Sequence, residues 1–158
     1  MFLLELLGIA DTSSAGLSFI LSNSNSKVLC SGCCGCSASS AVDAAAKALC
    51  FASQAMFTWK MISNVKTILT SSSEIIEALR HRDRLEDWRL NFQLQVIKEH
   101  LVEMGSPAIH SIPLSWCKAP SSLACFGLTH HEVSLFFCGR DLPRCLMKTF
   151  YSCGFSWF

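Results

Sequence analysis

The chain has 158 residues, enough for one hydrophobic core, with 51% hydrophobic and 16% charged residues and a formal net charge of +1. A balance so close to zero gives no basic footprint for nucleic acid and no acidic field for a cationic partner, so composition argues against a nucleic-acid partner. Low charge together with a mean hydropathy of +0.37 points instead toward contact with a membrane.

Nearly half of the charged residues fall between Glu74 and Glu103. This uneven distribution divides the chain into an apolar segment with a Ser/Cys-rich loop (1–39), a central segment (40–105) and a Cys- and aromatic-rich tail (106–158).

Residues 2–21, FLLELLGIADTSSAGLSFIL, predict an apolar helix broken near Gly8 to Asp11, with Asp11 or Thr12 able to cap its second half. The segment lacks a positive leading region and carries Glu5, which argues against a cleaved signal peptide. No Asn-x-Ser/Thr sequon is present, so nothing supports export, and the ten cysteines read as reduced thiols.

The stretch KVLCSGCCGCSASS places Cys30, Cys33, Cys34 and Cys36 within one Ser/Gly-rich run, predicted to be irregular. Overlapping C-x-x-C and C-x-C spacings permit thiolate chelation, but a structural zinc site draws a second ligand pair from a distant loop, and none is evident. S-acylation of these four cysteines fits the apolar surroundings better, since two lipid chains give stable membrane attachment.

Ser40 three residues before Asp43 is a capping arrangement, and the following run has no Gly or Pro. It predicts a helix over about 41–69. At 100° per residue, Ala41, Ala45, Ala48 and Ala52 share one line, with Asp43, Lys47 and Lys60 opposite. Such a stripe of small residues admits a second helix at close range, in a soluble bundle or a membrane.

Next, Ser71 and Glu74 mark a start, and Gly105 with Pro107 a stop, for a helix over about 72–104. Leu94 and Leu101 lie on one apolar face, while Leu85, Trp88 and Phe92 form a second on the other side; two faces imply two neighbours. The mixed-sign block RHRDRLED reads as a solvated face. A short connection makes the two helices an antiparallel hairpin.

After Gly105 no period is sustained, although weak strands are conceivable at 132–138 and 146–152. His130 and His131, in THHE, are adjacent and point apart in a strand, which argues against a shared metal ion. Neither a phosphate-binding glycine loop nor H-E-x-x-H nor G-x-S-x-G occurs.

These readings combine into an all-α protein: a helical hairpin, an apolar N-terminal helix and a largely irregular tail. The function expected is that of a noncatalytic, intracellular, membrane-associated protein. It mediates protein–protein interaction or self-association through Ala41, Ala45, Ala48, Ala52, Leu85, Trp88, Phe92, Leu94 and Leu101, is palmitoylated on the cysteine run, and has no cofactor, metal or nucleic-acid partner. The alternatives are a soluble helical oligomerisation module, a small cysteine-dependent metal or redox protein, and a truncated product without activity of its own.

Overall fold

A computed structural model describes residues 2–11, 13–61, 65–81 and 87–157. It overturns the all-α expectation. Three long strands open the chain: β1 (Phe2–Asp11), β2 (Ser14–Asn23) and β3 (Lys27–Ser37). They form an antiparallel meander, with Leu4 opposite Leu21 and Leu17 opposite Cys34. Then follow α1 (Ala41–Thr58), β4 (Val65–Thr70), α2 (Ser73–Arg80), α3 (Trp88–Glu103) and β5 (Ala108–Ser111). The last part supplies α4 (Lys118–His130), β6 (Ser134–Phe136), α5 (Arg144–Ser152) and β7 (Ser156–Trp157).

Among the described residues the sheet has seven strands, in the order β5-β4-β1-β2-β3-β6, with β7 also paired to β3. β4 runs parallel to β1, and β5 parallel to β4. Parallel neighbours need crossover connections, and these carry the helices onto the faces of the sheet. α1, α2 and α3 cover one face, where Leu4, Phe19, Leu21 and Ile68 meet Ala48, Leu49, Ile75 and Ile97. α4 and α5 cover the other, where Ile20, Val28 and Cys33 meet Leu123, Leu146 and Phe150. Full burial of side chains such as Phe19 or Ile20 stabilises the fold by about 1.5 to 3 kcal/mol each.

The N-terminal helix expected over 2–21 is therefore a hairpin of strands. β2 sends Ala15, Leu17, Phe19 and Leu21 toward α1 and Ile20 toward α4, and both faces are covered. A strand buried on both sides loses the polar–apolar alternation that distinguishes it from a helix. Ser18, on the α4 side, is also buried, and its hydroxyl donates to the Pro120 carbonyl at 2.7 Å.

The small residues of β3 have a steric reason. A side chain at Gly35 would come within 2.8 Å of the Gly127 carbonyl oxygen, and one at Gly127 equally close to the backbone of Cys34. α4 thus lies almost on the strand. The Cys, Gly and Ser run is the filling of a narrow interlayer space, not an irregular loop.

The helical hairpin is corrected too. α1 starts where expected, with Ser40 Oγ accepting from the Asp43 amide at 3.1 Å, but it ends at Thr58, and β-branched Val65, Thr67, Ile68 and Thr70 form β4 instead. The 72–104 interval holds two helices; Ser72, not Ser71, caps the first. The end of α3 matches the expectation: Gly105 has φ +81°, and Ser106 donates back to the Leu101 carbonyl at 2.8 Å. In the tail, expected to be largely irregular, residues 134–136 are a strand and 144–152 a helix.

Candidate functional site

Two helix starts and the end of a strand meet at one corner of the sheet. β3 ends at Ser37, and the chain turns through Ala38 and Ser39 into α1; beside it stands the first turn of α3. Between them opens a cleft of about 540 Å³, lined by Ser37, Ser39, Asp43, Lys47, Asp87, Trp88, Arg89 and Gln93.

Its charged groups are ordered by short local bonds. Asp43 accepts from the Ser39 amide at 2.9 Å and from Lys47 Nζ at 3.1 Å, and Lys47 also donates to the Ser37 carbonyl at 2.7 Å. Burial works against the Asp43 charge, but the Ser39 amide and the Lys47 ammonium outweigh it and hold the carboxyl below its usual value. Across the cleft, Asp87 caps α3 by accepting from the Arg89 amide at 2.9 Å.

The other side of the cleft is aromatic and cationic. Trp88 is 72% exposed, and the Arg89 guanidinium lies 5.5 Å from its ring centre. Gln93 brings a buried side-chain oxygen without a hydrogen-bond partner. An exposed indole face, a guanidinium and an ammonium are groups that contact bases and phosphates.

Hydrolytic metal centres are commonly held by converging carboxylates. Among the described residues no group of three or more His, Cys, Asp or Glu side chains could hold a metal. Asp43 is engaged by Ser39 and Lys47, and Asp87 by its own helix. The described residues do not fit a metal centre.

Of the interaction residues expected from the sequence, Trp88 lines this cleft. Ala45, Ala48 and Ala52 are buried within the core that α1 shares with the sheet and α3, whereas Ala41 is exposed. Leu94 is buried, Leu101 packs against the same core, and Phe92 is 68% exposed. Leu85 lies outside the described residues, as does most of the RHRDRLED block.

The four clustered cysteines occupy alternating faces of β3: Cys30, Cys34 and Cys36 toward α1, Cys33 toward α4. Burial pushes the Cys30 and Cys33 thiols up to about 12, with the neighbouring Cys34 adding to the rise at Cys33, and Cys34 itself to about 11. Cys30, Cys33 and Cys34 are covered by the packed sheet, whereas Cys36 is half-buried near the end of β3.

Sequence reasoning gave no functional role to Lys47, Arg89 or Gln93. The signal available was the i, i+4 spacing of Asp43 and Lys47 and the adjacency of Arg89 to Trp88, but nothing in one dimension brings the start of α1 to the start of α3.

By sequence, no protein-family model matches the chain, and no characterised protein matches it. By structure the likeness is extensive. The compost-derived LC11-RNase H1 in complex with an RNA/DNA hybrid superposes with a TM-score of 0.73 at 13% identity, over 82% of this chain and 97% of that one. RNase H1 from the halophilic archaeon Halobacterium salinarum gives 0.70 at 16% identity, over 81% and 97%. A foamy viral protease–reverse transcriptase bound to dsDNA gives 0.58 at 15%, over 82% and 91%. The chain has the ribonuclease H fold.

This finding corrects the functional expectations. The noncatalytic membrane protein rested on low charge, the stripe of small residues and the cysteine run; Ala45, Ala48, Ala52, Cys30, Cys33 and Cys34 are packed inside this fold, whose solved examples include RNase H1 enzymes, and the expectation falls. No helix among the described residues is long and apolar enough to cross a membrane. The exclusion of nucleic acid is overturned likewise, because neighbours of this fold are seen with an RNA/DNA hybrid and with dsDNA. A net charge near zero does not by itself exclude nucleic acid, since charged groups can be gathered locally while a whole chain stays near neutrality.

Proposed function

We propose that the chain acts on nucleic acid and binds an RNA/DNA hybrid, with one sugar–phosphate backbone running along the cleft between α1 and α3. The observation that supports this reading is the agreement in fold with LC11-RNase H1 over nearly the whole length of both chains. In the cleft, Trp88 offers a face for a base or sugar, while Arg89 and Lys47 offer charge to phosphates. Strand cleavage needs a metal-holding set that the described residues do not assemble; binding is the part of a ribonuclease activity that these side chains support.

The test is fluorescence anisotropy with a labelled RNA/DNA hybrid, a DNA duplex and single-stranded RNA, at several salt concentrations. The same mixtures, with Mg²⁺ added, are run on a denaturing gel to follow cleavage. Saturable, salt-weakened binding of the hybrid is the expected result. Two phosphate contacts correspond to a slope of log affinity against log salt of roughly −1.8. Absence of saturable binding at low salt, or binding that Trp88→Ala and Arg89→Ala leave untouched, overturns the reading.

A further inference from the structure

All ten cysteines lie among the described residues, and only Cys125 and Cys145 are exposed. Both line the same groove, a space of about 490 Å³ between α4 and α5, far in sequence from the cysteine run of β3. Cys125 is in the middle of α4 and Cys145 in the first turn of α5, and the two helices pack against each other.

The rest of the groove is chemically quiet. Phe126 and Leu146 contribute apolar surface; the Thr129 hydroxyl donates to the Phe126 carbonyl at 2.9 Å, and that of Thr149 to the Cys145 carbonyl at 3.4 Å. Each threonine is thereby turned toward its own helix, and the two sulfurs are the strongest nucleophiles facing the space. The other thiols are less accessible: Cys30, Cys33, Cys34 and Cys117 are buried, and Cys36, Cys50, Cys138 and Cys153 are half-buried, with Cys138 Sγ also donating to Asp141 at 3.2 Å. Selective exposure and a shared groove are two separate observations that converge on the same pair.

We propose that Cys125 and Cys145 form a redox-responsive dithiol that exchanges with a low-molecular-weight disulfide of the glutathione class and closes into an intramolecular disulfide clipping α5 onto α4. In the first step one cysteine, as thiolate, attacks a sulfur of the small disulfide. The S–S bond breaks, a mixed disulfide forms, and one small thiol leaves with a proton. In the second step the other cysteine attacks the protein-bound sulfur and expels the second small thiol. Two protein thiols are oxidised, and one small disulfide is reduced to two thiols. Closure requires Cα atoms about 4.4 to 6.8 Å apart. α5 is held in the core by Leu146 and Phe150, so closure has to be met by the side chains of Cys125 and Cys145 and small shifts of the two helices.

The experiment treats the native full chain with oxidised glutathione, then maps alkylated peptides without reduction. The expected product has lost two hydrogens in intact mass and contains a Cys125–Cys145 cross-link. Fragmentation distinguishes Cys125 from Cys138, which shares its tryptic peptide, and Cys30, Cys33, Cys34 and Cys117 stay unmodified. The oxidised form should melt at a higher temperature than the reduced form, and dithiothreitol should reverse the shift. Cys145→Ser, with a circular dichroism spectrum like that of the parent, should stop at a mixed disulfide on Cys125; Cys145→Ala provides the same check should the serine variant misfold. A cross-link through Cys138, two mixed disulfides that never close, no reaction, or closure without a change in melting each overturns the proposal.

Discussion

Ser53 on α1 and His100 on α3 meet with Oγ and Nδ1 2.7 Å apart, in the seam between the two helices. The hydroxyl also donates to the Cys50 carbonyl at 2.9 Å. With its single hydrogen used there, Oγ accepts, and Nδ1 of His100 carries the proton that it donates. Phe57 closes the seam, its ring centre 4.9 Å from that of His100.

Ser53→Ala removes the acceptor and leaves Nδ1–H facing an apolar seam, and a loss of about 1 to 3 kcal/mol is expected. Urea denaturation of the variant beside the parent measures it. An unchanged midpoint would show that the pair does not couple α1 to α3.

Glu5 is a half-buried carboxylate on β1, beside Cys117 on the α4 face. Desolvation raises its pKa from 4.5 to about 7. Between these values the folded chain holds a proton that the unfolded chain has released, so stability falls as pH rises through the window and is greatest on the acid side. Glu5→Gln should abolish this dependence and stabilise the protein above neutrality by on the order of 2 to 3 kcal/mol. Melting curves from pH 5 to about 8 provide the readout, and a parent whose stability rises with pH over that range would contradict the assignment.

Gly8 stands where α1 crosses β1. A Cβ there would run into the backbone carbonyl of Ala44, a group with no freedom to turn aside. Gly8→Ala should cost about 1 to 3 kcal/mol through overpacking. Ala45→Leu, at a buried position on the same helix, should be similarly costly; thermal denaturation of both compares them directly.

In the cleft, Trp88→Ala should weaken hybrid binding by about 1 to 3 kcal/mol if one base stacks on the indole. Arg89→Ala should lower the salt slope by about 1. Phe92→Ala, equally exposed on α3 but outside the cleft, is the control, and an equal loss there would move the contact surface away from the cleft.

Two helix boundaries are legible in local chemistry: Ser40 with Asp43 opens α1, and Gly105 closes α3; the Asp87 cap that opens α3 is hidden inside a run of mixed charges. Boundaries without such chemistry are not legible. α1 ends near Trp59 and Lys60, where Lys60 takes φ +55° with no glycine or proline to announce it. The strands were hidden for a different reason: Leu17 and Ile20 point to opposite faces and both are buried, so the period of two has no polar phase. The small residues at Ala45, Ala48 and Ala52 did mark a close contact, but the same spacing suits a helix lying on a sheet and gives no hint of the partner. In the cleft, Trp88 stood out as part of a second apolar face, whereas Lys47 and Arg89 pass for ordinary solvated charges until the sheet brings their helices together.

The two edges of β1 have different histories in the life of the chain. On one side β1 pairs with β2, its immediate successor; on the other with β4, where Leu4 meets Ile68 only after the meander and α1 have intervened. Closing such a separation takes entropy that a tight hairpin does not. The meander is therefore the natural nucleus, and the β1–β4 ladder a late event. During that interval β1 presents an unpaired apolar edge, so refolding at high protein concentration has its aggregation hazard at Leu3, Leu4 and Leu6 rather than at the cysteine-filled strand β3.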